Sequence, residues 1–145
     1  MTASVADAPR SIAVRLVGVL PLVVAGLALA VPTFIRLGQQ VWSMEIGAHG
    51  PIVLATGVWI LWRQMPSMLS EGTRGHLALT ILAVAAALPL YVVGRAYDLI
   101  SLEAAGLYGF GLAVLHDRVG LRQMLKNWFP LFYLGLLLPV PGWLL

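Results

Sequence analysis

The 145-residue chain contains no cysteine, which excludes a disulfide framework, a thiolate zinc site and a cysteine nucleophile among these residues. Charged residues are also scarce, at 10%, where an ordinary soluble domain has about 25%. The nine basic residues form no dense run, so the net charge of +3 does not indicate a nucleic-acid partner. His49, His76 and His116 fall in different predicted connections, and no phosphate-binding glycine loop is present. The sequence therefore predicts no metal site and no cofactor.

Hydrophobic residues, in contrast, make up 60% of the chain, and the mean hydropathy is +0.91. A soluble domain of this size could not bury so much apolar surface. Only helices satisfy their backbone hydrogen bonds within one segment in lipid, and no alternating strand pattern is seen. We therefore predict an all-α, polytopic integral membrane bundle: a single transmembrane domain over 1–145 with about five spanning helices. The five apolar segments are Leu16–Ile35, about Ile46–Trp62, Leu77–Gly94, Leu99–Leu115 and Trp128–Leu145.

The first segment also has features of a cleaved signal peptide. Arg10 and Arg15 precede it, and "ALA" at Ala28–Ala30 is similar to a cleavage site. The apolar run nevertheless continues to Ile35, which favours a retained helix. Both interpretations leave the orientation of the later helices unchanged.

Basic residues in alternate connections predict the orientation, because short cytoplasmic loops are enriched in Lys and Arg. Seven of the nine lie at the N-terminus or in the second and fourth connections: Arg10, Arg15, Arg63, Arg74, Arg118, Arg122 and Lys126. Arg36 and Arg95 fall in the first and third connections. The N-terminus is therefore predicted to be cytoplasmic, with Glu45, His49, Arg95, Asp98 and Glu103 at the outer face.

The second segment, in "MEIGAHGPIVLATGVWILWRQ" (44–64), is short for a membrane span. Its uninterrupted apolar part, Pro51–Trp62, has 12 residues and would rise roughly 18 Å, against a hydrocarbon core of about 30 Å. Two explanations are open. Either the residues before Pro51 enter the membrane region, or the helix continues past Arg63 while that side chain reaches towards the surface.

Glu45, His49 and Gly50 form the first candidate site. Pro51 favours the first helical position, and glycines at 47 and 50 allow a tight turn before it. A histidine near a carboxylate in partly dry surroundings could hold a proton near neutral pH, which would suit a substrate-contacting lip. The alternative is that His49 only anchors or caps the helix.

Arg95, Asp98 and Glu103 form a second, weaker set of outer-face candidates. The short Arg95–Asp98 connection predicts an antiparallel hairpin of segments three and four. An ionisable residue such as Glu103 inside a spanning segment is a functional candidate. The alternative is structural: Asp98 caps the fourth helix, and Glu103 pairs with Arg95 near the positive end of the helix dipole. A stripe of small residues predicts close helix packing on the fourth segment, at Ser101, Ala105, Gly109 and Ala113.

Three stretches resemble the exosortase/archaeosortase family: "AHGPIVLATGVWILWR" (48–63), "GRAYDLISLEAAGLYGFGLAVL" (94–115) and "NWFPLFYLGLLLPVP" (127–141). The resemblance covers about 41–141. It implies a multi-pass protein of the bacterial inner membrane that processes C-terminal sorting signals on exported proteins, with the lipid bilayer and such proteins as partners. The family's proposed catalytic cysteine, arginine and histidine lie beyond the Pro-x-Pro stretch, so none is carried over to this chain.

The chain is therefore similar to the N-terminal half of an exosortase, as a fragment or a natural truncation, and is expected to be inactive alone. The alternative is a non-enzymatic five-helix accessory or scaffold protein. A small transporter is a third interpretation, supported only by Glu103 within a helix.

Overall fold

A computed structural model describes residues 8–139 of the chain, and within that range all regular structure is helical. The helices are α1 (Ala8–Gln40), α2 (Gly50–Glu71), α3 (Leu77–Ala96), α4 (Ile100–Lys126) and α5 (Trp128–Gly135). A 3₁₀ turn, Glu45–Gly47, precedes α2. Residues 140–145, which end the predicted fifth segment, lie outside the described range. The chain divides between Pro32 and Thr33 into two units, of which the second contains every contact discussed below.

Helices α3 and α4 form the predicted antiparallel hairpin, joined by the short turn 97–99. Two glycines allow their backbones to approach. A Cβ at Gly94 would collide with the backbone nitrogen of Glu103, and a Cβ at Gly106 with the backbone nitrogen of Tyr91. Of the predicted small-residue stripe, Gly109 does face α3, with its Cβ position 3.3 Å from that of Ala87.

Helix α2 resolves the question of the short second segment. It begins at Gly50 and runs for 22 residues to Glu71, which corresponds to about 33 Å. The second explanation, continuation past Arg63, is therefore confirmed. The Arg63 guanidinium lies over the Trp59 ring, 5.3 Å from its centroid, so the charge is accommodated on the helix surface.

The predicted connections are longer than those of the structure. Arg36 lies inside α1, Arg63 inside α2 and Arg95 inside α3. The stretch His116–Asn127 is largely helical because α4 continues to Lys126. The fifth helix is shorter than its apolar segment and ends at Gly135.

At the end of the second unit where α2 stops and α3 starts, the connecting loop packs across α4. Gly120 has a φ of 75° and kinks α4 where the Thr73 carbonyl approaches. The buried His116 ring forms a hydrogen bond through Nδ1 with the Thr80 hydroxyl, at 2.9 Å. Lys126 donates to Glu71 at 2.6 Å, and this hydrogen bond lowers the pKa of the Glu71 carboxyl below its usual value. We call this region the Lys126 end.

Two segments within residues 8–139 are long and apolar enough to cross a membrane: Leu20–Gln40 and Leu77–Ala96. Only 11% of each apolar window is buried inside the protein. Large hydrophobic side chains such as Ile81, Leu82 and Val92 on α3 are exposed. The small core lies elsewhere, around Met68, Leu115, Val119 and Leu131.

Candidate functional site

Most of the predicted candidate residues lie at the opposite end of the second unit, which we call the Glu103 end. The C-terminal ends of α1 and α3 and the N-terminal ends of α2 and α4 meet there. Two polar features occupy this end: an ion cluster around Glu103 and a groove beside His49.

Glu103 lies in the first turn of α4 and is completely buried, with 0% of its side chain exposed. Its Oε1 accepts from Arg95 Nη1 and from the Thr33 hydroxyl, each at 2.9 Å. Its Oε2 accepts from Arg36 Nη1. One buried carboxylate thus ties together α1, α3 and α4. We call Arg36, Arg95, Asp98 and Glu103 the ion cluster.

Two guanidinium groups and a hydroxyl compensate Glu103 for its lost hydration. Burying an uncompensated charge is very unfavourable, and ion pairs with hydrogen bonds offset part of that cost. The helix dipole at the start of α4 adds a further favourable interaction with negative charge. The structural alternative for Glu103, pairing with Arg95, is confirmed, and its pairing with Arg36 is an addition that sequence reasoning missed.

Asp98 does not cap α4, so that alternative was wrong. Leu99 holds the N-cap position without a side-chain hydrogen bond, and the Asp98 carboxylate instead accepts from Arg36 Nη2. Asp98 is 78% exposed and has a φ of 59°, a left-handed conformation that is uncommon outside glycine but tolerated by aspartate. The Arg36 guanidinium therefore bridges a buried carboxylate and an exposed one.

The His49 groove is the second feature, with a volume of about 400 Å³. Its polar lining comes from His49, Gln40 and Ser101, and its apolar lining includes Trp42 and the turn Leu136–Pro139 after α5. His49 is exposed, and its ring makes no hydrogen bond or ion pair with any described residue. The ring is thus accessible to a molecule in the groove.

Glycines 47 and 50 shape this groove through close approach. Neither has a positive φ, so the turn itself does not require them. A Cβ at Gly47 would collide with the Val41 carbonyl, and one at Gly50 with the Trp42 indole ring. Gly50 is buried and belongs to the packing beneath the groove, while Glu45 is exposed in the 3₁₀ turn and does not line it.

An apolar cavity of about 210 Å³ lies within the second unit, among α1, α2, α4 and α5. Phe34, Leu54, Ala104 and Leu134 are among its lining residues. Tyr108 also lines it and donates to the Leu131 carbonyl at 2.5 Å, which ties α5 to α4.

Arg36 and Thr33 are the site residues that the sequence reasoning missed. Arg36 interrupts an otherwise apolar run shortly before α1 ends, and a charge in that position is itself a signal for a buried partner. No group of His, Asp and Glu in the described range is arranged to hold a metal ion.

These features define the class of the protein: a helical membrane protein with a charged cluster and a mainly apolar groove beside His49 at one end. The profile of the transmembrane exosortase family (Exosortase_EpsH) matches residues 41–145, which is most of the chain. The protein therefore belongs to the transmembrane exosortase family. No curated protein and no solved structure matches the chain.

Proposed function

We propose that this protein takes part in processing C-terminal sorting signals on exported proteins, and that it contributes the membrane scaffold and an outer-face seat for the substrate. The observation that carries this proposal is the family match over residues 41–145. Because these residues include no cysteine, the family's cysteine chemistry would need a nucleophile from elsewhere, and we expect this chain alone to release no product.

The proposed setting is the bacterial inner membrane, with several spans, a cytoplasmic N-terminus and the Glu103 end outside. The distribution of charge in the second unit supports this orientation. The Lys126 end carries Arg74, Arg118, Arg122 and Lys126, whereas the Glu103 end carries Arg36 and Arg95, both paired with Glu103. Cytoplasmic ends of membrane proteins are the more basic ones.

We propose the His49 groove as the substrate seat. Its apolar walls can accept side chains of an extended peptide, and the His49 ring can donate to or accept from a peptide backbone group. Because Gly47 and Gly50 have no side chains, Val41 and Trp42 can pack directly against their backbones at the groove. Glu45, one turn before, could contact the flanking part of the substrate.

The test is co-purification of an exported substrate that carries a sorting signal with the full chain, from membranes containing both. We expect His49→Ala to reduce co-purification about three- to tenfold, the effect of losing one hydrogen bond. The matched control is His76→Ala, which removes an exposed histidine at the Lys126 end and should leave substrate binding unchanged. Protein abundance is measured in the same membranes.

Equal co-purification by the His49→Ala variant at normal abundance would reject the groove as the seat, and a cleaved product made by this chain alone would reject its expected inactivity. A non-enzymatic scaffold is the second candidate, favoured by the absence of cysteine. Deleting the sorting signal from the substrate distinguishes the two, since a general scaffold would bind the truncated substrate equally well.

A further inference from the structure

We propose that Arg36 and Arg95 form a binding site for the phosphate group of a membrane phospholipid. This inference is separate from the processing of sorting signals and does not depend on which end of the protein faces outwards.

The first step is that Glu103 holds the two guanidinium groups next to each other. Arg36 occupies one carboxylate oxygen and Arg95 the other. Each arginine has five N–H donors, and Glu103 can use only part of them. Their side chains are 15% and 44% exposed, so part of each remains accessible from the protein surface. Two guanidinium groups fixed at one surface position suit the several oxygens of a phosphate group.

The second step concerns Asp98, which occupies the outer side of Arg36. This carboxylate is 78% exposed, so water and dissolved ions screen its attraction to Arg36. Asp98 is therefore a counter-ion that a stronger anion can displace.

The third step is charge. Arg36, Arg95 and Glu103 sum to one positive charge, which Asp98 neutralises. A phosphodiester carries one negative charge, so it can replace Asp98 without a change in net charge. Among the described residues, the ion pair of Asp98 is with Arg36, whereas a phosphate between the arginines could accept from both.

The fourth step identifies the source of the phosphate. Arg36 lies four residues before the end of the apolar segment Leu20–Gln40, and Arg95 is the penultimate residue of Leu77–Ala96. Both arginines are therefore close to the end of an apolar segment that is long enough to cross a membrane. Phospholipid phosphates are concentrated in the adjoining headgroup region.

The test uses the purified full chain in uncharged detergent micelles, titrated with phosphatidylglycerol, and measures bound lipid per protein by mass spectrometry. We expect Asp98→Asn to increase the affinity about three- to tenfold, because it removes the competing carboxylate. Glu45→Gln is the matched control: it removes another exposed acidic group at the same end that has no ion pair with the arginines, and should change the affinity little.

The double variant Asp98→Asn/Arg95→Gln should lose the gain, and Arg74→Gln in place of Arg95→Gln should keep it. Diacylglycerol, which has the acyl chains without the phosphate, should show no dependence on Asp98. Equal affinities of the Asp98→Asn and Glu45→Gln variants would overturn the proposal. Displacement of the lipid by equimolar inorganic phosphate would overturn the headgroup as the source.

Discussion

Glu103 illustrates how one side chain can determine the arrangement of three helices. Its carboxylate binds Arg36 of α1 and Arg95 of α3 from the first turn of α4. Buried ion pairs often add little net stability compared with apolar packing, but removing one partner leaves the others buried without compensation. We therefore interpret the ion cluster as a determinant of which helix ends meet.

Glu103→Gln tests this interpretation. The amide keeps the size of the side chain but removes the negative charge, so Arg36 loses the buried carboxylate that neutralises it. We expect the free energy of unfolding to fall by about 3 kcal/mol. Asp98→Asn, which removes the exposed partner of the same arginine, should cost less than about 1 kcal/mol.

Both variants are compared with the unchanged chain by denaturant unfolding in the same micelles. Similar small losses for both would contradict a structural role for the buried charge. A loss confined to Glu103→Gln would support it.

Sequence reasoning located part of this cluster and missed the rest for a physical reason. Arg95 and Glu103 are separated by 8 residues across a short turn, so their pairing follows from the hairpin. Arg36 is separated from Glu103 by 67 residues, and a contact over that distance depends on how whole helices pack. Arg36 was also predicted to lie in a loop, where a charged side chain is exposed to water and needs no buried partner.

At the scale of elements, the hairpin α3–α4 was predictable and its contact face only partly so. The predicted third segment, Leu77–Gly94, ends two residues before α3 does. Small residues four apart correctly indicated close packing at Gly109. The closest approaches occur at Gly94 and Gly106 instead, because contact positions depend on the angle and rotation of both helices.

Gly106→Ala should therefore destabilise the hairpin. The added Cβ would collide with the Tyr91 backbone, which cannot move aside as a flexible side chain could, and such overpacking costs about 1–3 kcal/mol. Gly111→Ala is the control on the same helix. Gly111 has open space around its Cβ position, so alanine should be neutral or stabilise by up to about 1 kcal/mol through helix propensity.

The measurement is the thermal unfolding midpoint of each variant in micelles. A midpoint for Gly106→Ala at or above that of Gly111→Ala would show that the α3–α4 contact can widen without cost.

Helix α2 shows why the apolar run was a poor guide to helix length. Beyond Trp62 the sequence turns polar, yet the helix continues for two more turns. Arg63 stacks on Trp59, and the hydroxyls of Ser67 and Ser70 donate to the carbonyls of Gln64 and Ser67. These polar groups are satisfied locally, so they do not end the helix. The explanation that the residues before Pro51 enter the membrane region because the second helix is short is therefore wrong. The substrate-contacting role proposed for the His49 groove is instead supported by the volume and lining residues of the groove.

At the scale of the whole molecule, the two ends of the second unit differ in chemistry. The Glu103 end has its arginines neutralised by Glu103 and Asp98 and carries an accessible groove. The Lys126 end carries more arginines, a kinked α4 and a loop packed across it. Helix α2 connects the two ends. Labelling one position near each end of α2 therefore measures which side of the membrane each end faces.

Single-cysteine labelling makes this measurement, since the chain has no cysteine of its own. Ala48 precedes α2, Ser70 lies in its last turn, and both are exposed. The 22 residues of α2 rise about 33 Å, enough to cross a hydrocarbon core of about 30 Å. With the Glu103 end outside, a membrane-impermeant thiol reagent should label the Ala48→Cys variant in intact cells with a permeabilised outer membrane. The Ser70→Cys variant should be labelled only after lysis. The reverse pattern would invert the proposed orientation, and labelling of both variants in intact cells would mean that α2 does not cross the membrane.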